Sequence, residues 1–213
     1  YGIFEIGMDR KGEIDYLSKI IKPDIGVITN ISYAHAKNFR TLFDIAKAKS
    51  EIIFNIKKNG TIILNKDDKF FDFFSKLANK NSLEIISFGK HKNSDIRLSK
   101  VNKSKINSII LISVNFKSYK FKINNNLIPY INNILASVAV CKSLNIIDKI
   151  KSNFFLNYKI PNGRGNIKKI IIGSKKLNII DESYNSNPLS LNFSIKNFDN
   201  LKINPNKKFI LLG

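Results

Sequence analysis

Two stretches of the chain carry side chains whose types and spacing suit chemistry. The first is Ile180-Asp181-Glu182-Ser183-Tyr184-Asn185-Ser186-Asn187-Pro188. Polar residues follow one another here between a strand-like apolar run, Leu177 to Ile180, and a helix opening at Pro188 with Leu189, Leu191, Phe193 and Ile195. Proteins with α/β sheets bind ligands beyond the carboxyl ends of strands. As local structure alone, Asn, Ser and Pro at such a junction build a capping turn. The second stretch is the N-terminal third. Glu5, Asp9 and Glu13 lie close to one expected strand end, and His35 lies just past Thr29-Asn30 at another. Carboxylate and imidazole at neighbouring strand ends can converge on a divalent ion; the plainer reading of His35 is a solvated loop side chain.

A sharper signal comes from the run Thr41 to Ile56. At about 3.6 residues per turn, Leu42, Ile45, Ala46, Lys49, Ile52 and Ile53 share one stripe of a helix, so Lys49 points with the apolar side chains. Lys47 lies well round the helix and serves as an ordinary solvated cation. An ammonium on a buried stripe is costly unless it is paired, neutralised or covalently modified; snorkelling along the stripe to water is the alternative.

These groups need elements to position them, and the chain supplies an alternation of strands and helices. Ile3 to Ile6 reads as the end of a strand, Glu13 to Ile21 as a helix stopped before Pro23, and Ile25 to Thr29 as a buried strand. Thr41-Leu42-Phe43-Asp44 has the spacing of a capping box and opens a helix to about Ile56. Asn59-Gly60 ends it, Thr61 to Leu64 is the next strand, Asp68 to Lys80 a helix and Glu84 to Phe88 a strand. Such alternation predicts a mostly parallel, helix-covered sheet. Between Asp95 and Ile123 the texture changes: Ile109 to Phe116 and Tyr119 to Ile123 read as adjacent strands around Lys117-Ser118, a small antiparallel insertion or edge. Ile131 to Leu144 and Ile147 to Phe155 return to helix. Ile167 to Ile172 and Leu177 to Ile180 form a hairpin across Gly173 to Lys176, a helix runs from Pro188 to near Leu201, and a linker at Lys202 to Asn206 precedes a final strand.

Composition bounds the rest. A chain of 213 residues with 43% hydrophobic and 24% charged residues can bury a sizeable core. The formal charge of +20 favours anionic partners, but lysines scattered among many Asn and Ile residues point to a codon bias instead. The single cysteine, Cys141, excludes an internal disulfide, and its apolar helical setting predicts a buried structural thiol in a reducing compartment. No apolar run has the length of a membrane span, so a cytoplasmic protein is expected.

Taken in order, six segments resemble the Mur ligases: Glu5 to Ile14, Thr29-Asn30-Ile31 with Ala34-His35, Ala46 to Ile52, Leu64-Asn65-Lys66-Asp67-Asp68, Gly163-Arg164 and Asp181 to Pro188. The Ser-Tyr-Asn-x-Asn-Pro element favours the branch that adds D-Ala-D-Ala to UDP-MurNAc-tripeptide in peptidoglycan precursor synthesis. The resemblance implies an ATP-dependent, C–N bond-forming ligase using Mg²⁺. It makes Glu5 and His35 metal ligands and Lys49 a carbamylated lysine that completes the site; these three are the expected catalytic residues. Asn133 then contacts adenine, Arg164 faces the nucleotide phosphates, and Asp181 with Tyr184 and Asn185 forms the nucleotide-side hinge. Either Asp181 or Glu182 reaches the nucleotide, since the second acid of the family pattern is here a glutamate. The family's Gly-Lys-Thr phosphate loop has no counterpart in these residues. Residues 1–201 are therefore expected to be a central ATP-binding domain without that loop, and residues 202–213 a linker and the first strand of a C-terminal domain. The 213 residues alone are expected to be inactive and monomeric. The alternatives are a sister ligase that adds a single amino acid, a folylpolyglutamate synthase and, from a different class, a basic nucleic-acid-binding module.

Overall fold

The computed structural model describes residues 1–32, 38–184, 188–201 and 203–212. Residues Tyr1–Lys159 form one compact unit and Ile160–Gly213 a second. The first is built on a six-stranded sheet in sequential order, β1 (Ile25–Ile28), β2 (Thr61–Asn65), β3 (Glu84–Gly89), β4 (Ile96–Lys103), β5 (Asn107–Val114) and β6 (Lys117–Asn124). Strands β1, β2 and β3 run parallel, with Ile28 beside Leu64 and Asn65 beside Phe88 at their carboxyl ends. All five residues of β2 are buried, the pattern of a parallel strand covered on both faces.

Covering one face are α1 (Glu13–Ile21), α2 (Leu42–Ser50) and α3 (Phe71–Lys80), whose Ile14, Ile45, Ala46, Phe74 and Ala78 share a core with Ile28, Ile62 and Leu64. Helix α4 (Ile131–Ser143) packs on β1 to β4. Its Ser143 reaches Thr61 Oγ1 at 3.3 Å, and Thr61 lies on the face of β2 opposite Ile62, so α4 covers the other side. The capping box at Thr41 is formed in full, with the Thr41 side chain accepting from Asp44 N and the Asp44 carboxylate accepting from Thr41 N. Cys141 sits half-buried on α4, where burial pushes its thiol pKa up.

The antiparallel half is larger than the sequence predicts. Strand β4, unforeseen, adds to β3 in parallel over only Phe88 to Ile96 and Gly89 to Arg97, then pairs antiparallel with β5. Its outer half is Lys- and Asn-rich and mostly exposed, which hides the period of 2 from a reading of hydrophobicity. The β5–β6 turn falls at Asn115-Phe116 instead of Lys117-Ser118, both residues having positive φ (45° and 66°) as a two-residue hairpin turn demands.

Four other segments depart from what the sequence predicts. Ile3 to Ile6 is not a strand, and residues 208–212 are not one either, because neither stretch has a neighbouring strand among the described residues. The helix from Thr41 stops at Ser50 and tightens into a 3₁₀ turn over Glu51–Asn55. The expected helix from Ile147 is only a 3₁₀ turn, Ile147–Lys149, followed by further turns.

The second unit holds the hairpin β7 (Asn166–Ile172) and β8 (Lys175–Asp181), closed by Gly173-Ser174, then α5 (Pro188–Asp199) and a 3₁₀ turn at Pro205–Lys207. The position near Leu201 where the sequence places a domain boundary lies inside this unit.

Candidate nucleotide and metal site

At the carboxyl ends of β1 and β2 the sheet ladder stops, and side chains take over the backbone groups it leaves. Asn65, the last residue of β2 and buried, donates from Nδ2 to Thr29 O at 3.0 Å. Asp68 accepts Ile31 N at 2.9 Å through Oδ2. Lys49 reaches the same corner: its Nζ donates to Asn30 O at 3.1 Å. The stripe expected of α2 is present, with Ile45 and Ala46 buried, Leu42 partly buried, and the following turn adding buried Ile53 and partly buried Ile52. Lys49 is half-buried on it, while exposed Lys47 lies 4.5 Å over the Phe43 ring. Desolvation pulls the Lys49 pKa down, and the nearby Asp68 charge opposes that pull. The result is an amine more readily neutral than a surface lysine, anchored at a strand end.

Beside this corner, Asp67 accepts Lys90 N at 2.7 Å and His91 N at 2.9 Å, pinning the loop after β3. Gly89 makes that approach possible. With φ at +151°, a Cβ there would lie 2.8 Å from the Asp67 carboxylate.

A residue that the sequence reading left without a role links two of the motifs. The Glu51 carboxylate accepts Gly12 N at 2.9 and 3.0 Å and Asp15 N at 3.1 Å. Helix α1 begins after Gly12, which has no side chain to cap it, so Glu51 satisfies the free N–H groups of its first turn. Glu13 folds back in turn to accept Asp9 N at 2.6 Å and Arg10 N at 3.1 Å. Asn55 completes the junction by donating to Asp15 Oδ1 at 2.9 Å and Ser18 Oγ at 2.9 Å. A carboxylate two residues after a lysine of interest is a weak signal in sequence; only the capless Gly12 hinted that such a partner was needed.

The remaining expected residues fall as follows. Glu5 is exposed in the unpaired segment that precedes buried Met8. His35 and Asn185 lie outside the described residues. Asn133 is exposed on the first turn of α4, and the N-cap is Tyr130, so Asn133 is not the helix cap. Among the described residues no three His, Cys, Asp or Glu side chains gather as a ready-made metal cluster.

In the second unit, two of the matching motifs come together. Gly165 N donates to Asp181 O at 2.7 Å and Tyr184 N to Gly163 O at 3.0 Å. The Arg164 guanidinium lies 4.5 Å over the Tyr184 ring. Gly163 has φ +74°, and a Cβ on it would meet Tyr184 backbone at 2.8 Å, so the loop admits only glycine there. Asp181 accepts Ser183 Oγ at 2.6 Å, Ser183 N at 3.1 Å and Lys168 Nζ at 3.1 Å. Those bonds, led by the Ser183 hydroxyl, hold its pKa down to about 2. Glu182 is exposed beside it.

A helix-covered parallel sheet whose strand ends present a half-buried lysine, amides and carboxylates has the architecture of an α/β ligand-binding domain. The model of the Mur ligase middle domain matches residues 1–141. The chain belongs to the Mur ligase family. It is 34% identical over 204 residues to the UDP-N-acetylmuramoyl-tripeptide--D-alanyl-D-alanine ligase of Buchnera aphidicola subsp. Baizongia pistaciae, covering 94% of this chain and 43% of that one. It is 29% identical over 216 residues to the enzyme of the same name from Bacillus subtilis, covering 99% and 44%. Among solved structures, MurF from Acinetobacter baumannii superimposes with a TM-score of 0.80 at 26% identity, over 93% of this chain and 42% of that chain. MurF ligase from Thermotoga maritima in complex with ADP gives 0.77 at 26% identity, over 91% and 43%. An L. casei FPGS mutant gives 0.65 at 15% identity, covering 88% of this chain and 45% of that one, a likeness of fold alone. The chain thus spans less than half the length of the relatives it matches.

Proposed function

We propose that this chain is the ATP-handling part of an amide ligase that joins D-Ala-D-Ala to UDP-MurNAc-tripeptide in peptidoglycan precursor synthesis. The observation that carries the reading is Lys49: a lysine on an apolar stripe, anchored to a strand-end carbonyl and with a depressed pKa. Support for the D-Ala-D-Ala branch comes from the names of the relatives and from the Ser-Tyr-Asn-x-Asn-Pro element at Ser183 to Pro188. We assign residues 1–201 to the central domain and 202–213 to the start of the next.

In this reaction the γ-phosphoryl group of ATP passes to the precursor's terminal carboxylate, giving an acyl phosphate and ADP. The dipeptide amine attacks the acyl carbon, loses its proton, and phosphate leaves as the amide forms. The neutral Lys49 amine adds to CO₂, forming an N–C bond and releasing a proton, so that a cation becomes a carboxylate-like anion. With Glu5 and His35, that carbamate supplies oxygen and nitrogen donors that suit Mg²⁺, which when bound would offset phosphate charge. Asn133 holds the adenine edge. Arg164, whose fork matches phosphate oxygens, faces the nucleotide with Asp181, Tyr184 and Asn185 as the hinge.

The test is an assay of the full gene product with ATP and UDP-MurNAc-tripeptide, offering D-Ala-D-Ala, single amino acids, or glutamate with a folate. Phosphate release confined to D-Ala-D-Ala is expected; release driven by a single amino acid or by the folate pair would transfer the chain to a sister branch.

A further inference from the structure

The motif Leu64-Asn65-Lys66-Asp67-Asp68 has so far been given no role in the reaction, yet two of its residues behave alike. Asn65 and Asp68 each divide one side chain between their own turn and the end of β1. The Asn65 Oδ1 accepts Asp67 N at 3.0 Å while its Nδ2 donates to Thr29 O at 3.0 Å. The Asp68 Oδ1 accepts Phe70 N at 2.9 Å while its Oδ2 accepts Ile31 N at 2.9 Å. Between these two anchors stands Asn30, whose carbonyl accepts the Lys49 amine at 3.1 Å. Three consecutive residues past the last ladder pair, Ile28 with Leu64, are thus each held by a side chain from another element.

A strand end freed from its ladder ordinarily turns its carbonyls to water. Here Asn65, only 8% exposed, is held in one orientation, because its carbonyl end is occupied by Asp67 N and its amide end by Thr29 O. Turned by rotation about ψ of Asn30 and φ of Ile31, the Asn30 carbonyl would leave the half-buried amine without its acceptor; Asp68 holds the N–H of that same peptide unit and Asn65 the carbonyl of the preceding one, so the two restrain it from either side.

We propose that Asn65 and Asp68 are positioning residues that lock Thr29 to Ile31, so that the Asn30 carbonyl fixes where the Lys49 side chain ends. The role rests on the ligase reading only in so far as it predicts a kinetic effect; the mechanical part stands without it.

The experiment has two arms, both with thermal unfolding of every variant recorded. In the full gene product, Asp68→Asn keeps the shape but loses one acceptor, and it should lower kcat about 10–100-fold while KM for ATP stays within about twofold. In a Lys49→Met background the same change should cost nothing more, since its effect passes through Lys49. An active enzyme whose kcat ignores Asp68→Asn, or a loss that adds in full to that of Lys49→Met, overturns the proposal. The second arm needs no turnover. In residues 1–213, hydrogen exchange at the Ile31 amide and labelling of Lys49 by an amine-reactive ester should both rise, by up to about tenfold, in Asp68→Asn and in Asn65→Leu. Unchanged Lys49 labelling with faster exchange at Ile31 overturns the link to Lys49. If Asn65→Leu does not fold, Asp68→Asn decides alone. A wild-type gene product without ligase activity defeats the functional reading and leaves the labelling arm to judge this one.

Discussion

The two halves of the six-stranded sheet solve the same problem differently. In the parallel half, β1 to β3 end abruptly, and their carboxyl ends are knitted by Asn65, Asp67, Asp68 and Lys49, side chains that cross from one element to another. In the antiparallel half, β5 alternates buried and half-buried residues along its length, hairpin bonds return the chain to itself, and the polar side-chain contacts range from buried Ser108 donating to Asn125 out to the surface. Among them is an exposed clip in which Lys117 and Tyr119 both bond Asp148. Parallel strands cannot be joined by tight turns, so they leave a row of backbone groups in need of partners; antiparallel strands use those groups up. Lys49 ends where the topology leaves that row.

The contrast predicts that damage in the antiparallel half shows in stability and damage at the parallel strand ends shows in turnover. Phe121 is 1% exposed and stacks edge-on against Phe155 at 5.4 Å. Phe121→Ala should cost about 3–5 kcal/mol in denaturant unfolding, with kcat per folded molecule of the full gene product unchanged. The reverse is expected of Lys49→Met: a fall in turnover on the order of 10²–10³-fold, with thermal stability equal or slightly higher because a desolvated ammonium is gone. If Lys49→Met unfolds the protein or Phe121→Ala selectively lowers kcat, the division between the halves fails.

Smaller effects sharpen the picture. Thr41→Ala removes one side of a complete capping box at the start of the helix that carries Lys49, and should cost about 0.5–2 kcal/mol. An unchanged unfolding midpoint would show that the cap is redundant with the packing of Ile45 and Ala46. The mildest concerns Asp181. Its pKa is lowered from 3.8 to about 2, so its bonds to Ser183 and Lys168 favour the folded state at all pH above about 4. That contribution fades as pH falls toward 2. Asp181→Asn should flatten the acid limb of unfolding followed by signals from residues 160–213, and an unchanged limb would locate acid sensitivity elsewhere.

Much of the parallel half was legible because periodicity, caps and breakers agree there. Glu13 to Ile21 is bounded by Gly12 and Pro23, and both of its ends are where the sequence places them. The stripe that turned Lys49 inward was visible for the same reason. What escaped was what depends on a partner. Strand β4 is defined by its pairing with β5 and not by its own hydrophobicity. Ile3 to Ile6 has the composition of a strand but no neighbour among the described residues. The links from Glu51 to Gly12 and from Asp68 to Ile31 span 39 and 37 positions, distances over which local patterns carry no information. The motifs were recognisable as motifs; the hydrogen bonds that join Gly12 to Glu51 and Ile31 to Asp68 were not.

One of those links constrains how the chain can vary. Because Glu51 seizes the backbone of Gly12 and Asp15, the loop entering α1 and the turn leaving α2 share a single mechanical reference point. Adding or deleting a residue in either segment would break the register of the other, so length changes should be tolerated in neither. The same rivet would make the two segments travel together in any domain movement.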